Sequence, residues 1–588
     1  MSQKFENLLN LSLETPEVIR KKTENLNVGY EGESNTWEVI IKYHGEIGYL
    51  QEYGIQVEEL IAGYAILTVP REQMESLGEF EEIEYVEQPK KYYFETELPG
   101  ENSCVYPVTL GEKELSGKGV IMAVLDSGID YEREEFRRED GGTRILYLWD
   151  QTLVPTGEMM PPAGFRQGVE FDAKSINRAL EGEKAPFLVV PSKDISGHGT
   201  AVAGIAAAGP VNRNEAGVYQ GIAPECDLLI VKLGDVRERG FPKTTEIMRA
   251  VTYALRKGIG ENRPIVINLS FGNSYGSHDG SSLLERFLDN AAEIGRTVIC
   301  VGAGNEGDSA GHYGGHATDL QVVEIAVGEY ENNLGIQVWK QYGDVFRIGL
   351  QAPNNTRITL PQVFGDKKQE YSIGNTVVLV YQGEPKPYSV LQETYFELIP
   401  NGRYIDPGVW KLEMMPVLSK TGRFDVYLPA SEARGERTYF LRPTPELTLT
   451  VPSTSSKILT VGAYNVPFEQ YAPFSGRGSS LGREGNSIAI AGLIKPDIVA
   501  PGVEILAPDV LGGYKSVTGT SFATPIVSGT AALLMEWGII KGNDRYLYGE
   551  KIKAFLRKGA KPIRGEMVYP NEKVGFGKLC LADSIPER

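Results

Sequence analysis

The chain has 588 residues, 41% hydrophobic and 23% charged, which suits several packed domains and excludes wholesale disorder. A formal net charge of −19 argues against a nucleic-acid partner, because phosphate would be repelled. The N-terminus lacks a basic stretch followed by an apolar one, and no run of about 18 apolar residues occurs, so neither a signal peptide nor a membrane span is expected. The four cysteines, Cys104, Cys226, Cys300 and Cys580, form no CxxC pair, which predicts neither a disulfide scaffold nor a zinc site. Cys300 lies in the apolar run TVICVGAG and reads as a buried thiol, and Cys226 reads as structural.

The first hundred residues read as a separate unit. TWEVIIKY (Thr36–Tyr43), IAGYAILTVP (61–70) and IEYVEQ (83–88) have strand character, and GEIGYLQEYG (45–54) and REQMESLG (71–78) read as helices. That alternation predicts a ferredoxin-like α+β module. After residue 117 the pattern becomes buried strands alternating with helices. The strands are GVIMAVLD (119–126), DLLIVKLG (227–234), PIVINLSFG (264–272) and TVICVGAGN (297–305), continuous apolar runs of the kind found in a parallel sheet covered on both faces. Helical spacing over 244–258 and 281–295 ends each time in a glycine suited to a left-handed C-cap. The prediction is a doubly wound, mostly parallel α/β core. From 329 to 448 the helical spacing gives way to short strands broken by Pro, Gly and Asn, which predicts an inserted all-β sandwich or jelly roll. Core character returns with SKILTVGAYN (456–465) and a helix over 521–538. The expected domains are therefore 1–97, 98–328, 329–448 and 449–588, the second and fourth forming one core.

Three segments carry the chemistry. AVLDSGID puts Asp126 at the end of a strand, DISGHGTAVAGIAAAG puts His198 at the start of a small-residue helix, and GTSFATPIVSGTAALL puts Ser521 at the start of another helix. A serine hydroxyl is a weak nucleophile until a base takes its proton, and that base must be held in one tautomer by a carboxylate. A helix start adds backbone N–H groups for a developing oxyanion. The small residues Gly197, Gly199, Ala201 and Gly204 would let the histidine helix approach its neighbours closely. Alone, each of these residues has a plainer use as a turn, loop or cap residue; together, in this order, they predict nucleophilic catalysis.

At these motifs the chain resembles the subtilases (peptidase S8), whose triad runs Asp, His, Ser in that order. The resemblance implies a serine endopeptidase with an acyl-enzyme intermediate, Asp126, His198 and Ser521 as the triad, and Asn305 of AGNEG as an oxyanion-hole donor. It also implies that Ser270, Phe271, Gly272, Ala303 and Gly304 bind substrate, with His312 and His316 near the floor of the P1 pocket. His44 and His278 lack such context and read as surface or structural residues. The long gap between AGNEG and TVGA, the first module and RILYLWDQT (144–152) are similar to the Csp proteases of clostridial bacteria. That group implies a prodomain over 1–97, an embedded jelly roll and a role in spore germination. It further implies self-cleavage in the tail that carries Tyr92, Phe94, Glu95, Thr96 and Glu97, with the prodomain bound in the active-site cleft. Synthesis in the cytoplasm with spore association or non-classical export would follow. No cofactor is required. Calcium could bind the loop 211–221 through Asn212, Asn214 and Glu215, but those residues do not match the usual ligand run, so no metal is assigned. The expected partners are protein or peptide substrates and the chain's own prodomain. Two rival functions remain at this stage: a prodomain-occluded scaffold of the spore or cell surface, and a general degradative protease.

Overall fold

A computed structural model describes residues 29–59 except 33, then 63–87, 103–105 and 114–586, apart from 183–185, 214–216, 234–241, 362–368, 383, 386–387 and 480–493, plus scattered positions before 29. The chain divides into two compact units, Met1–Glu95 and Thr96–Arg588. Tyr92, Phe94, Glu95, Thr96 and Glu97 lie outside the described residues, as do Asn214 and Glu215.

In the first unit, Thr36–Tyr43 is flanked by Ile83–Glu87 and Tyr64–Pro70, and Gln56–Glu59 pairs on the far side of Tyr64–Pro70, all antiparallel. This is the ferredoxin-like strand order. The two expected helices are instead short 3₁₀ segments, Gly48–Tyr53 and the pair Arg71–Gln73 and Glu75–Glu79. Trp37, Val39 and Ile41 alternate into the core with Leu50, Leu67 and Leu77, so one sheet face is buried.

The second unit is built on a nine-stranded sheet. Thr297–Gly302, Ile265–Leu269, Ile121–Asp126, Asp227–Lys232 and Ile145–Asp150 lie side by side in that order and run parallel. Leu459–Asn465 extends the sheet beside Thr297–Gly302, and Ile498–Pro501 pairs in parallel beyond it. The strand Ile121–Asp126 is buried along its whole length, which explains its unbroken apolar run. It also lies where the chain order reverses, with Asp227–Lys232 on one side and Ile265–Leu269 on the other, so a crevice opens beyond its carboxyl end.

Helices Thr244–Gly260 and Leu283–Ala291 cover one face; His198–Ala207 and Thr520–Met535 cover the other. Gly258 does not cap its helix. It lies inside it, where an added Cβ would sit 3.0 Å from Ile265 Cγ2, so its role is close helix–sheet approach. Thr520–Ile540 is the one helix among the described residues long and apolar enough to cross a membrane, and 89% of its apolar window is buried inside the core.

The inserted region forms two antiparallel sheets, of six and five strands, that enclose a single apolar cluster containing Val323, Ile325, Phe396, Trp410 and Phe424. It begins earlier than the sequence pattern suggests, because His312–His316 pairs along Arg423–Tyr427. A glycine is required in that strand by packing: a Cβ on Gly315 would collide with the Phe424 ring.

A disulfide joins Cys104 to Cys580, with the Cα atoms 4.8 Å apart, contrary to the expectation from spacing. The pairing is carried by the three-dimensional approach of residues 476 apart in sequence, which no local spacing rule detects. Cys226 and Cys300 are free and buried, and burial pushes both thiols up to about 12.

Candidate active site

The crevice beyond the Asp126 strand is a cavity of about 480 Å³ lined by Asp126, His198, Ser521, Asn305 and the segment Ser270–Phe271–Gly272. Asp126 ends its strand with a 2% exposed side chain, and its Oδ1 lies 2.7 Å from His198 Nδ1. That oxygen also accepts the Ser127 N–H at 2.7 Å, while Oδ2 is buried without a hydrogen-bond partner among the described residues. A carboxylate so poorly solvated interacts strongly with the one titratable ring it touches. Burial alone would lower the His198 pKa, but the charge and hydrogen bond of Asp126 more than offset it and hold it above the usual histidine value.

His198 opens its helix behind Gly197, which adopts φ 75°. Gly199 is a steric requirement, since its Cβ would collide with Gly128 O and lie 3.2 Å from Asp126 Cβ. Asp194 ties the whole corner together. Its Oδ1 accepts from Ser127 Oγ and Gly197 N, both at 2.9 Å, and its Oδ2 from Thr200 N at 2.8 Å and Thr200 Oγ1 at 2.7 Å. Ser127 Oγ in turn accepts the Gly199 N–H at 2.9 Å. Asp194 thus takes the Gly197 and Thr200 N–H groups at the start of the histidine helix, Ser127 takes that of Gly199, and together they fix the helix to the turn after Asp126.

Ser521 is the second residue of the helix Thr520–Met535. Its Oγ donates to Ser270 O at 3.0 Å, and Ser270 Oγ donates back to Ser521 O at 2.9 Å. Beneath them Asn268 Nδ2 donates to Ser270 Oγ and Ser528 Oγ donates to Asn268 Oδ1, at 2.9 and 2.8 Å, so the nucleophile helix is locked to the central strand by a buried polar chain. The Phe522 ring packs 5.2 Å from the His198 ring.

Asn305 Oδ1 accepts from Thr520 N at 3.0 Å and Thr520 Oγ1 at 3.1 Å. With its oxygen committed, the amide presents its N–H donors, which have no partner among the described residues, to the cavity that it lines. Gly304 lines the cavity at φ 88°, and a Cβ there would strike Thr450; a Cβ on Gly272 would strike the same side chain. Thr450 N donates to Ala303 O at 3.0 Å, so Ala303, fully buried, supports the wall without lining it.

Neither His312 nor His316 lines the cavity. His312 is buried with Nε2 3.2 Å from Asp425 Oδ1, and it stacks on Tyr427 at 4.5 Å. His278 is buried and stacks on Tyr427 at 4.0 Å, so of the two expected roles, surface or structural, it takes the structural one. Asn212 is exposed in a two-residue hairpin strand, and no cluster of metal-binding side chains is present among the described residues.

The sequence reading passed over Asp194, although it opens the quoted DISGHGT segment just before a helix start, where a capping carboxylate is the ordinary expectation. It also passed over Ala430 and Glu432, which line the cavity from the inserted domain and carry no local signal.

Residues 117–388 and 433–577 match the subtilase family. The chain belongs to that family. Residues 3–90 of this subtilase match the Csp protease B prodomain. The solved CspB protease of Clostridium perfringens is 35% identical with a TM-score of 0.74, the match covering 83% of this chain and 96% of that one. Among curated proteins, the minor extracellular protease Vpr of Bacillus subtilis (strain 168) is 23% identical over 504 residues, 80% of this chain and 52% of Vpr. Subtilisin-like protease SBT3.17 of Arabidopsis thaliana is 27% identical over 471 residues, 73% of this chain and 56% of the plant protein. The subtilase described here therefore spans about half the length of these curated relatives.

Proposed function

We propose that this subtilase is a serine endopeptidase whose triad is Asp126, His198 and Ser521. The observation that carries the reading is the 2.7 Å Asp126–His198 pair in one cavity with Ser521 at a helix start and an Asn305 amide with uncommitted donors. Asp126 fixes the imidazole with its proton on Nδ1 and leaves Nε2 as the base. As a peptide enters, the Ser521 proton leaves the Ser270 carbonyl for His198 Nε2, and Oγ attacks the scissile carbonyl carbon. Asn305 Nδ2 and the Ser521 N–H stabilise the resulting oxyanion. His198 passes the proton to the departing amine, and water repeats the sequence on the acyl-enzyme to release Ser521. Ser270, Phe271, Gly272 and Gly304 hold the substrate backbone and the P1 side chain.

The N-terminal module, through residue 97, serves as prodomain and is removed by the enzyme's own cut in the tail containing Tyr92–Glu97, as its match to the Csp protease B prodomain suggests. A Csp-like processing role, with narrow cleavage preferences, fits this organisation better than general degradation. Fluorophosphonate labelling of the purified chain, with intact-mass analysis of wild type and Ser521→Ala, tests both parts. Labelling and loss of the first ninety-odd residues in wild type only are expected; an unlabelled wild type sinks the peptidase reading. A Ser521→Ala protein that still loses its N-terminal module sinks self-cleavage.

A further inference from the structure

Three carboxylates line the active-site cavity, and their partners differ. Asp126 is committed to His198. Glu306 is committed to the inserted domain: its Oε1 accepts from Ser431 N at 3.0 Å and Ser431 Oγ at 2.8 Å, and its Oε2 from Ser309 Oγ at 2.5 Å. Glu432 makes no hydrogen bond or ion pair among the described residues, and no lysine or arginine is among the described residues that line the cavity.

The turn that carries Glu432 is held from both sides. Glu306 grips Ser431, and the Arg434 guanidinium donates to Pro429 O at 2.9 Å, to Ser309 O at 2.7 Å and to Thr438 O. Among the described residues Glu432 is therefore an uncompensated carboxylate on a fixed mount, placed in the cavity by a domain that supplies none of the candidate triad. Glu432 is solvent-exposed in its turn, yet desolvation by the surrounding protein and the neighbouring Glu306 charge both push its carboxyl up, and His198 opposes them. A cationic group entering the cleft would relieve both penalties, whereas an acidic one would add to them.

We propose that Glu432 is a specificity residue that makes this cleft select peptides carrying a lysine or arginine side chain next to the scissile bond and reject acidic side chains there. The proposal rests on the peptidase reading and names the substrate class of the same site. The ammonium or guanidinium would pair with the Glu432 carboxylate at the edge of the cavity built by Ala430 and Glu432.

The test is a positional-scanning library of quenched fluorescent peptides, four residues either side of the cut, run on wild type, Glu432→Gln, Glu432→Asp and Glu432→Lys. The readout is the ratio of kcat/KM for Lys or Arg over Glu at each position within one enzyme, so a variant with less folded protein still gives an interpretable value. Wild type should show one position with a ratio of about a hundredfold. Glu432→Gln should cut it roughly tenfold, Glu432→Asp should keep most of it, Glu432→Lys should invert it, and added salt should weaken it. No basic preference at any position, or a preference unchanged in Glu432→Gln and Glu432→Lys, overturns the proposal. Fluorophosphonate labelling of the same preparations separates the two failures: labelled enzyme without the preference refutes only Glu432, and unlabelled wild type refutes the peptidase reading and this one with it.

Discussion

The parallel-sheet core and the inserted β domain each bury their own apolar clusters but contribute differently to the cleft. In the core, strands such as Ile121–Asp126 are buried on both sides, and their carboxyl ends and the following helix starts mount Asp126, His198 and Ser521. In the insert, residues alternate in and out, as in Gln321–Val327, and the domain meets the core through outward-facing side chains. Gln337 Oε1 accepts the Gly276 N–H at 3.0 Å, Ser389 Oγ donates to Asp279 Oδ2 at 2.8 Å, and Tyr427 stacks on His278. All three contacts fall on the loop that follows the Ser270–Gly272 wall. The lesson is a division of labour, with the candidate triad mounted on the core and the Ser270–Gly272 cavity wall braced from outside it.

The sharpest way to break that division is to change the core alone. Ser521→Ala should remove about 10⁶-fold of kcat in a peptide assay while leaving the thermal unfolding profile of the insert in place, as expected for the nucleophile of such a triad. Asp126→Asn should cost about 10⁴-fold, because the imidazole loses its fixed tautomer. The same residue sets the pH dependence. With the His198 pKa held above its ordinary value, the acid limb of kcat/KM in wild type should lie above pH 6.5, activity rising as the imidazole loses its proton. The stability supplied by the charged pair runs the other way: it is fully present below the unfolded histidine pKa and is lost as pH rises through the folded one. An acid limb at or below the unperturbed histidine value would contradict the Asp126 pairing.

Next in size is Asn305→Ala, which should lower kcat roughly a hundred- to thousandfold with little change in KM. A loss confined to KM would mean that the amide acts on the ground state. On the insert side, Tyr427→Ala should destabilise the protein by about 3–5 kcal/mol, the cost of an emptied aromatic site. Its signature should be faster limited proteolysis within 273–281 and a raised KM, with fluorophosphonate labelling retained. Equal loss of labelling would show that core and insert do not separate. Smallest in catalytic terms is Cys104→Ser, expected to lower unfolding free energy by about 2–5 kcal/mol without altering the active site. Non-reducing mass analysis should first find two free thiols in the denatured wild type, Cys226 and Cys300; four would refute the disulfide.

The core and the candidate site residues that meet in its cavity were legible because their signals are local. A buried parallel strand is a continuous apolar run, and Asp126, His198, Ser521 and Asn305 each sit in a short motif at an element end. What escaped was non-local. Nothing local marked the strand His312–His316 as part of the insert, because its requirement for Gly315 comes from Phe424, more than a hundred residues away. Cys104 finds Cys580, and Glu432 reaches the cleft near Asn305, only through the closed fold. In the first unit the helical spacing was real, but the segments are so short that they close as 3₁₀ turns.

The Cys104–Cys580 bond turns the stretch between them into a covalent ring that contains the triad and the entire inserted domain. A single backbone cut anywhere inside that ring leaves one molecule, not two. A chain nicked at an exposed loop inside the ring would then keep Asp126, His198 and Ser521 on the same particle.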